Sequence, residues 1–160
     1  MHGTGTNTLS VVQRAIELER EAHKKGKIYD QVWCVFDRDS FTAARFNDAI
    51  QLASHNNFSV AYSNESFELW YILHYEFLQA ALTRHDYIDR LSNLLGYRYE
   101  KNRPEMYDEL MRNGNQELAC RYAERLLEHH KSTNPRSNPE SDKPSTTVHL
   151  LVCTLNNWIK

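Results

Sequence analysis

Residues 32–41 constrain the fold of this chain more than any other segment. Five apolar residues, VWCVF, run directly into two carboxylates, Asp37 and Asp39, that are separated by a single residue. β-Branched and aromatic residues that are apolar on both faces are typical of a strand in a parallel sheet covered by helices. The carboxylates therefore lie at the carboxyl end of a buried strand, where α/β proteins commonly bind their ligands.

Hydrophobic periodicity predicts a βαβ unit around this strand. A helix fits residues 9–25 and ends at Gly26, and a second helix follows Ser40, which is a good N-cap. Asn56 ends the second helix, and residues 58–62 then read as another strand. Strand, helix and strand with short connections form a right-handed crossover, the unit of doubly wound sheets.

The remainder of the chain is predicted to be helical. A dense apolar run predicts a largely buried helix over residues 66–82. Further helices follow, one closed by Gly96 and one opened by Pro104. Residues 131–144 are rich in Ser, Asn and Pro and predict a mobile loop, after which Ser145 is expected to cap a terminal helix.

Length and composition predict one α/β domain over the 160 residues, with a small parallel sheet in residues 1–65 and helices in residues 66–160. The net charge of -2 argues against a strongly basic nucleic-acid coat. Cys34, Cys120 and Cys153 show no CxxC spacing, so we expect them to pack in the core of a protein in the reducing cytoplasm. The sequence contains no long apolar span, which argues against membrane insertion.

Asp37 and Asp39 are the first candidates for chemistry. Alternate residues of an extended segment point the same way, so both carboxylates can reach one ion, and Mg²⁺ prefers such oxygen ligands. In the structural interpretation, Asp39 helps to cap the following helix and Asp37 ends a turn. The two interpretations are evenly balanced on the residues alone.

Glu68 is the second candidate, because it is the only charge in the apolar run 67–73. A buried carboxylate must be paired, metal-bound or protonated, and an ion pair with an arginine is slightly favoured. Arg38 lies between the aspartates and Arg45 follows them. Both could hold a phosphate backbone, although neutralisation of nearby acids is the favoured role. For His74 a hydrogen-bonded core position is favoured over a catalytic base.

Other site chemistries find no support in the sequence. His129, His130 and His149 show no partner at metal-ligand spacing and are expected at the surface. The segment 3–5 lacks a full GxGxxG pattern, no Walker lysine is present, and no GxSxG elbow is found.

Several blocks of the sequence resemble the RloB-like family, a branch of the Toprim-related nucleases of bacterial defence and restriction-modification loci. They occur in the family's order and cover most of the chain. The blocks are residues 29–39, 61–64, 67–70 with His74, 99–101 before Pro104, and 144–148.

The resemblance implies a Toprim-like, Rossmann-like fold in which Asp37 and Asp39 bind Mg²⁺ or Mn²⁺, with Arg38 between them. Glu68 carries over as an acidic position, for which we expect a catalytic role. The nuclease-like members are thought to cut nucleic acid, often beside an ATPase partner, in phage defence and abortive infection. A cytoplasmic bacterial protein follows from the same resemblance.

The sequence departs from the Toprim pattern near its start. Toprim enzymes place a glutamate after their first strand in a motif resembling Glu-Gly-x-x-Thr-Glu, and nothing before Asp37 matches it. The segment 3–7 resembles the part that follows that motif, so the chain is expected to begin about one βα unit late. Glu65-Ser66 also stands where Pro-Cys is expected.

Three hypotheses follow. The first is a metal-dependent phosphodiesterase in which Glu68, or an acid from another subunit, replaces the missing carboxylate. The second is a catalytically incomplete relative that acts as an interaction or homodimerisation module, with a sheet edge that needs cover. The third is a truncated reading frame in which Met1 is not the true start.

Overall fold

The computed structural model describes residues 8–38, 42–136 and 138–158. Ser40 and Asp39, both singled out in the sequence, therefore lie outside the described residues. The elements, in chain order, are α1 (Thr8–Lys24), β1 (Trp33–Asp37), α2 (Ala43–His55), β2 (Ser59–Asn64), α3 (Glu68–Ile72), α4 (Arg84–Leu95), α5 (Met106–Asn113), α6 (Gln116–Thr133), β3 (Ser145–Thr146) and α7 (Val148–Trp158).

The described residues form an α/β fold, as the sequence predicts, but the small sheet is mixed where a parallel one was predicted. β1 and β2 are parallel, with Trp33 opposite Ser59 and Asp37 opposite Ser63. β3 adds an antiparallel pair on the other side of β2, so the strand order is β1-β2-β3. Within the described chain β1 is thus an edge strand, and its carboxyl end lies beside that of β2.

The apolar side chains form two clusters. One joins α1 and α2 to the strands: Phe46 of α2 is fully buried, with its ring edge-on to Phe36 at 5.9 Å and to Tyr62 at 5.3 Å between centroids. The other is built from the helical half, where Leu69 and Leu126 are fully buried. The first cluster fixes the carboxyl edge of the sheet, and the second supports α3 beside it.

The prediction of one long helix over residues 66–82 is wrong. α3 covers only Glu68–Ile72, and turn hydrogen bonds continue to Glu76 before the chain extends to Thr83, which caps α4 with its side chain. A run that is apolar throughout has no amphipathic period to set its length. Beyond α3, the Phe77 ring packs at a tilt against the Tyr122 ring of α6, with 5.2 Å between centroids.

Three further expectations near the C-terminus need correction. Ser145 does not cap a helix: it belongs to β3, and its hydroxyl donates a 2.6 Å hydrogen bond to the Asp142 carbonyl. The predicted loop 131–144 begins later, because α6 continues to Thr133. His149, expected at the surface, is buried at the start of α7. These positions are decided by contacts with distant parts of the chain.

α2 begins at Ala43 with Thr42 at its N-cap position.

Among the helices of the part of the chain that is described, none has both the length and the apolar character needed to cross a membrane.

Candidate functional site

A cavity of about 310 Å³ lies at the carboxyl end of β1 and contains two of the predicted acids. Asp37, the last residue of β1, and Glu68, the first residue of α3, both line it. The irregular segment between α4 and α5 also lines the cavity. The lining residues are Val35, Phe36, Asp37, Phe67, Glu68, Tyr71, Tyr99, Lys101, Asn102, Arg103 and Met106.

Glu68 is a buried carboxylate, 3% exposed, whose oxygens are satisfied by three neighbours. The Ser66 hydroxyl donates to Oε2, and the Tyr99 hydroxyl donates to Oε1 at 3.3 Å. Lys101 Nζ lies 3.6 Å from Oε1, which is close enough for an ion pair. The arginine expected as its partner is thus replaced by a lysine, and the charge is compensated as burial requires.

The two tyrosines beside Glu68 are held in their protonated form. Burial, followed by the Glu68 charge, raises the pKa of Tyr99. The same two causes, in the same order, raise the pKa of Tyr71. Because a neutral phenol donates a hydrogen bond, Tyr99 can orient the Glu68 carboxylate at any physiological pH.

Asp37 is half-buried at the end of β1. The structure brings Asp37 and Glu68 to one cavity although 31 residues separate them in sequence, and it leaves Asp39 outside the described residues. No group of three His, Cys, Asp or Glu side chains suited to a metal occurs in the described ranges. Asp37 in this cavity is still compatible with Mg²⁺, because this ion is usually bound by one or two carboxylates together with waters and substrate phosphates.

Arg38 and Arg45 lie apart from the cavity lining. The Arg38 side chain is only 13% exposed, and Nη1 donates to the Glu140 carbonyl at 3.1 Å while Nη2 lies 3.5 Å from the Glu140 carboxylate. Its favoured role in the sequence, neutralisation of an acid, agrees with these contacts. Arg45 is exposed on α2.

His74 is a buried core residue, in agreement with the favoured interpretation. Its Nδ1 is 2.9 Å from the Trp70 carbonyl, and its ring stands edge-on to the Trp70 indole. Because a carbonyl can only accept, Nδ1 carries the hydrogen. Burial lowers the pKa of His74, which keeps this imidazole neutral near pH 7.

Sequence reasoning missed Lys101, Asn102 and Arg103 as cavity residues. They lie in a turn between two helices, where Asn102 has a positive φ of 61°. Such a segment has no periodic pattern, so its charges cannot be assigned to one face. The position of Lys101 within a family block was the one signal available.

Comparison with known proteins identifies the family of the chain. The model of the family described as RloB-like protein matches residues 1–155. No curated protein and no solved structure matches the chain. The family match extends over nearly the whole sequence, including every residue that lines the cavity, and the chain therefore belongs to the RloB-like family.

Proposed function

We propose that this protein is a Mg²⁺- or Mn²⁺-dependent phosphodiesterase that acts on nucleic acid in bacterial phage defence. One observation carries the proposal: Asp37 and Glu68 line a single cavity at the end of β1. In the sequence, Asp39 follows Asp37 by two positions. Membership of the RloB-like family supports the defence role, a cytoplasmic location and an ATPase partner.

Each acidic residue has a proposed role. Asp37 and Asp39 would hold the metal ion, whose contribution would be to neutralise charge on the phosphate. Glu68, oriented by the Tyr99 hydroxyl, accepts the proton of the attacking water. The partial burial of the cavity strengthens these charge interactions relative to water.

A cleavage assay with DNA and RNA substrates in Mg²⁺, in Mn²⁺ and in EDTA tests this proposal. Asp37→Asn, Asp39→Asn and Glu68→Gln should each lower the cleavage rate by a factor of about 10² or more. Asp48→Asn removes an exposed carboxylate from α2 and serves as the matched control with an unchanged rate. Cleavage that persists unchanged in the Asp37 and Asp39 variants would refute the proposal.

A second candidate function is a homodimerisation module. β1 is an edge strand among the described residues, and its residue Val35 is 43% exposed to solvent. Close to it, Ile28, Tyr29, Leu155 and Trp158 are exposed large apolar residues that line one shallow cavity. Exposed edges and apolar patches are typical of subunit interfaces.

Size-exclusion chromatography with light scattering tests this candidate. The wild type should run as a dimer, and Trp158→Ser should shift it towards the monomer. Trp33→Ser is not a suitable control because Trp33 packs against the core. Tyr107→Ser, an exposed aromatic of α5, is suitable and should leave the dimer intact. A monomeric wild type at all concentrations would contradict dimerisation.

A further inference from the structure

The cavity that contains Asp37 and Glu68 also has a cationic side. Lys101 and Arg103 line it from the segment between α4 and α5, whereas Asp37 lines it from the end of β1. An acidic side alone would repel a phosphate. Cations in the same cavity give a polyanion a favourable place to bind beside the carboxylates.

Lys101 is placed to contact two partners. Its Nζ is 3.6 Å from Glu68 Oε1, while its side chain remains 43% exposed. An ammonium group has three donors, and one neighbouring carboxylate cannot use all of them. Lys101 can therefore keep the Glu68 charge compensated and still reach an incoming phosphate oxygen.

Arg103 is held in a fixed plane. Its guanidinium carbon lies 4.4 Å above the centroid of the Tyr97 ring, and Nε is 3.3 Å from Glu105 Oε2. Stacking and the Nε contact restrict the side chain, and the Glu105 pair does not involve the two terminal amino groups. Those groups are the fork that binds phosphate in bidentate fashion.

The other basic residues near the aspartates are less suited to this role. The Arg38 guanidinium contacts Glu140 and is largely buried, and Arg45 does not line the cavity. A duplex is stiff over the length of such a site, whereas a single strand can bend a phosphate into a recess of about 310 Å³. The half-buried rings of Phe67 and Tyr71 add an apolar wall that suits an unstacked base.

We infer that Lys101 and Arg103 bind a phosphate of a single nucleic-acid strand in this cavity, beside the two carboxylates. This inference rests on the proposed function, since it names how the same site receives its substrate.

Fluorescence anisotropy with a short labelled oligo-dT and a matched oligo-U, in EDTA, tests the inference without cleavage. The double variant Lys101→Gln/Arg103→Gln should bind at least about tenfold more weakly than the wild type. The slope of log affinity against log salt should fall by about 0.7, since the two side chains bind one phosphate and each neutralised phosphate of a single strand contributes about 0.7. Lys101→Arg keeps the charge and should retain binding.

A matched control removes two positive charges elsewhere. Arg121→Gln/Lys131→Gln, both exposed on α6, should leave the affinity and the salt slope unchanged. Circular dichroism checks that each variant is folded. If the Lys101 variant is unfolded, the Arg103→Gln variant alone should weaken binding and reduce the slope by up to about 0.7.

The possible results separate this inference from the proposed function. Equal losses in both double variants, loss only in Arg45→Gln, equally tight binding of a duplex, or no binding by the wild type would each overturn the inference. Normal binding by the Lys101 and Arg103 variants, with cleavage abolished by Asp37→Asn, would refute the inference alone. Weakened binding in these variants without any cleavage by the wild type would refute the proposed phosphodiesterase alone.

Discussion

The side-chain amide of Asn64 donates a 2.8 Å hydrogen bond to the backbone carbonyl of Glu140, which is 76 residues away in sequence. The same amide nitrogen is 2.9 Å from the Pro139 carbonyl and 3.1 Å from that of Asp142. Arg38 donates to the Glu140 carbonyl as well, at 3.1 Å. Asn64, the last residue of β2, and Arg38, which follows β1, therefore hold residues 139–142 by hydrogen bonds at the sheet edge beside Asp37.

Asn64→Ala should lower the free energy of unfolding by about 2–4 kcal/mol. Asn64 is fully buried, and its removal leaves carbonyls without the donor that compensates their burial. Urea denaturation followed by circular dichroism measures the change. Asn93→Ala, at an exposed position of α4, is the matched control and should change stability by less than about 0.5 kcal/mol. Equal effects of the two substitutions would contradict the fastening role of Asn64.

Phe46→Ala should destabilise the protein by about 3–5 kcal/mol, because it leaves a cavity among fully packed rings. Phe46 is fully buried and contacts Phe36 and Tyr62 edge-on. The midpoint of urea denaturation should fall without a change in slope. Tyr107→Ala, which truncates an exposed ring, should have little effect. A loss below about 1 kcal/mol for Phe46→Ala would show that this cluster is not a core.

The two buried histidines should make stability fall in mild acid. Burial lowers the pKa of His74 and that of His149, although the Glu124 charge partly offsets the effect at His149. In the unfolded chain both take up a proton near pH 6.5, whereas in the folded chain they remain neutral to lower pH. The unfolded state then binds more protons, so the free energy of unfolding decreases from about pH 6.5 downwards to the lowered pKa values.

Urea denaturation at a series of pH values between about 7.5 and 5 measures this dependence. His149→Gln should make the free energy of unfolding depend less steeply on pH over that range, even if the substitution changes stability at every pH. His85→Gln is the control, since the His85 side chain is 83% exposed in its contact with Asp89. The same pH slope in wild type and His149→Gln would exclude this contribution.

Cys120 and Cys153 should form a disulfide when diamide is added. Their sulfur atoms are 3.9 Å apart, between α6 and α7. Each thiol loses one proton and one electron, and diamide is reduced to the hydrazine. Burial, as the largest cause, raises the pKa of Cys120 to about 12, so the exposed Cys153 is expected to react first.

Peptide mass spectrometry identifies the cross-linked pair, and Cys153→Ser should abolish it. Cys34 should stay reduced, because it is buried in β1 and burial raises its pKa to about 11. Cross-links to Cys34, or none at all in the folded protein, would contradict the arrangement of α6 and α7.

Some elements could be predicted from the sequence because their signals are local. The apolar run before Asp37 predicts β1, and the periodic stripe over residues 9–25 predicts α1, which spans Thr8–Lys24. Gly96 ends α4 in the left-handed region with a φ of 75°, as a glycine after a helix should. Alternation, helical period and left-handed φ each depend on a few neighbouring residues.

The rest was decided by tertiary structure. The partner of the buried Glu68 is Lys101, and Ser145 joins a two-residue strand that is too short to show any alternation. Likewise, the apolar run that contains Glu68 forms only a short helix, and Phe77 beyond it packs against Tyr122 of α6. The sequence alone determined that carboxylates follow a buried strand and that one acid lies in an apolar run. Only the fold decided that Asp37 and Glu68 share a cavity with Lys101 and Arg103, because burial and charge pairing join residues that the chain keeps far apart.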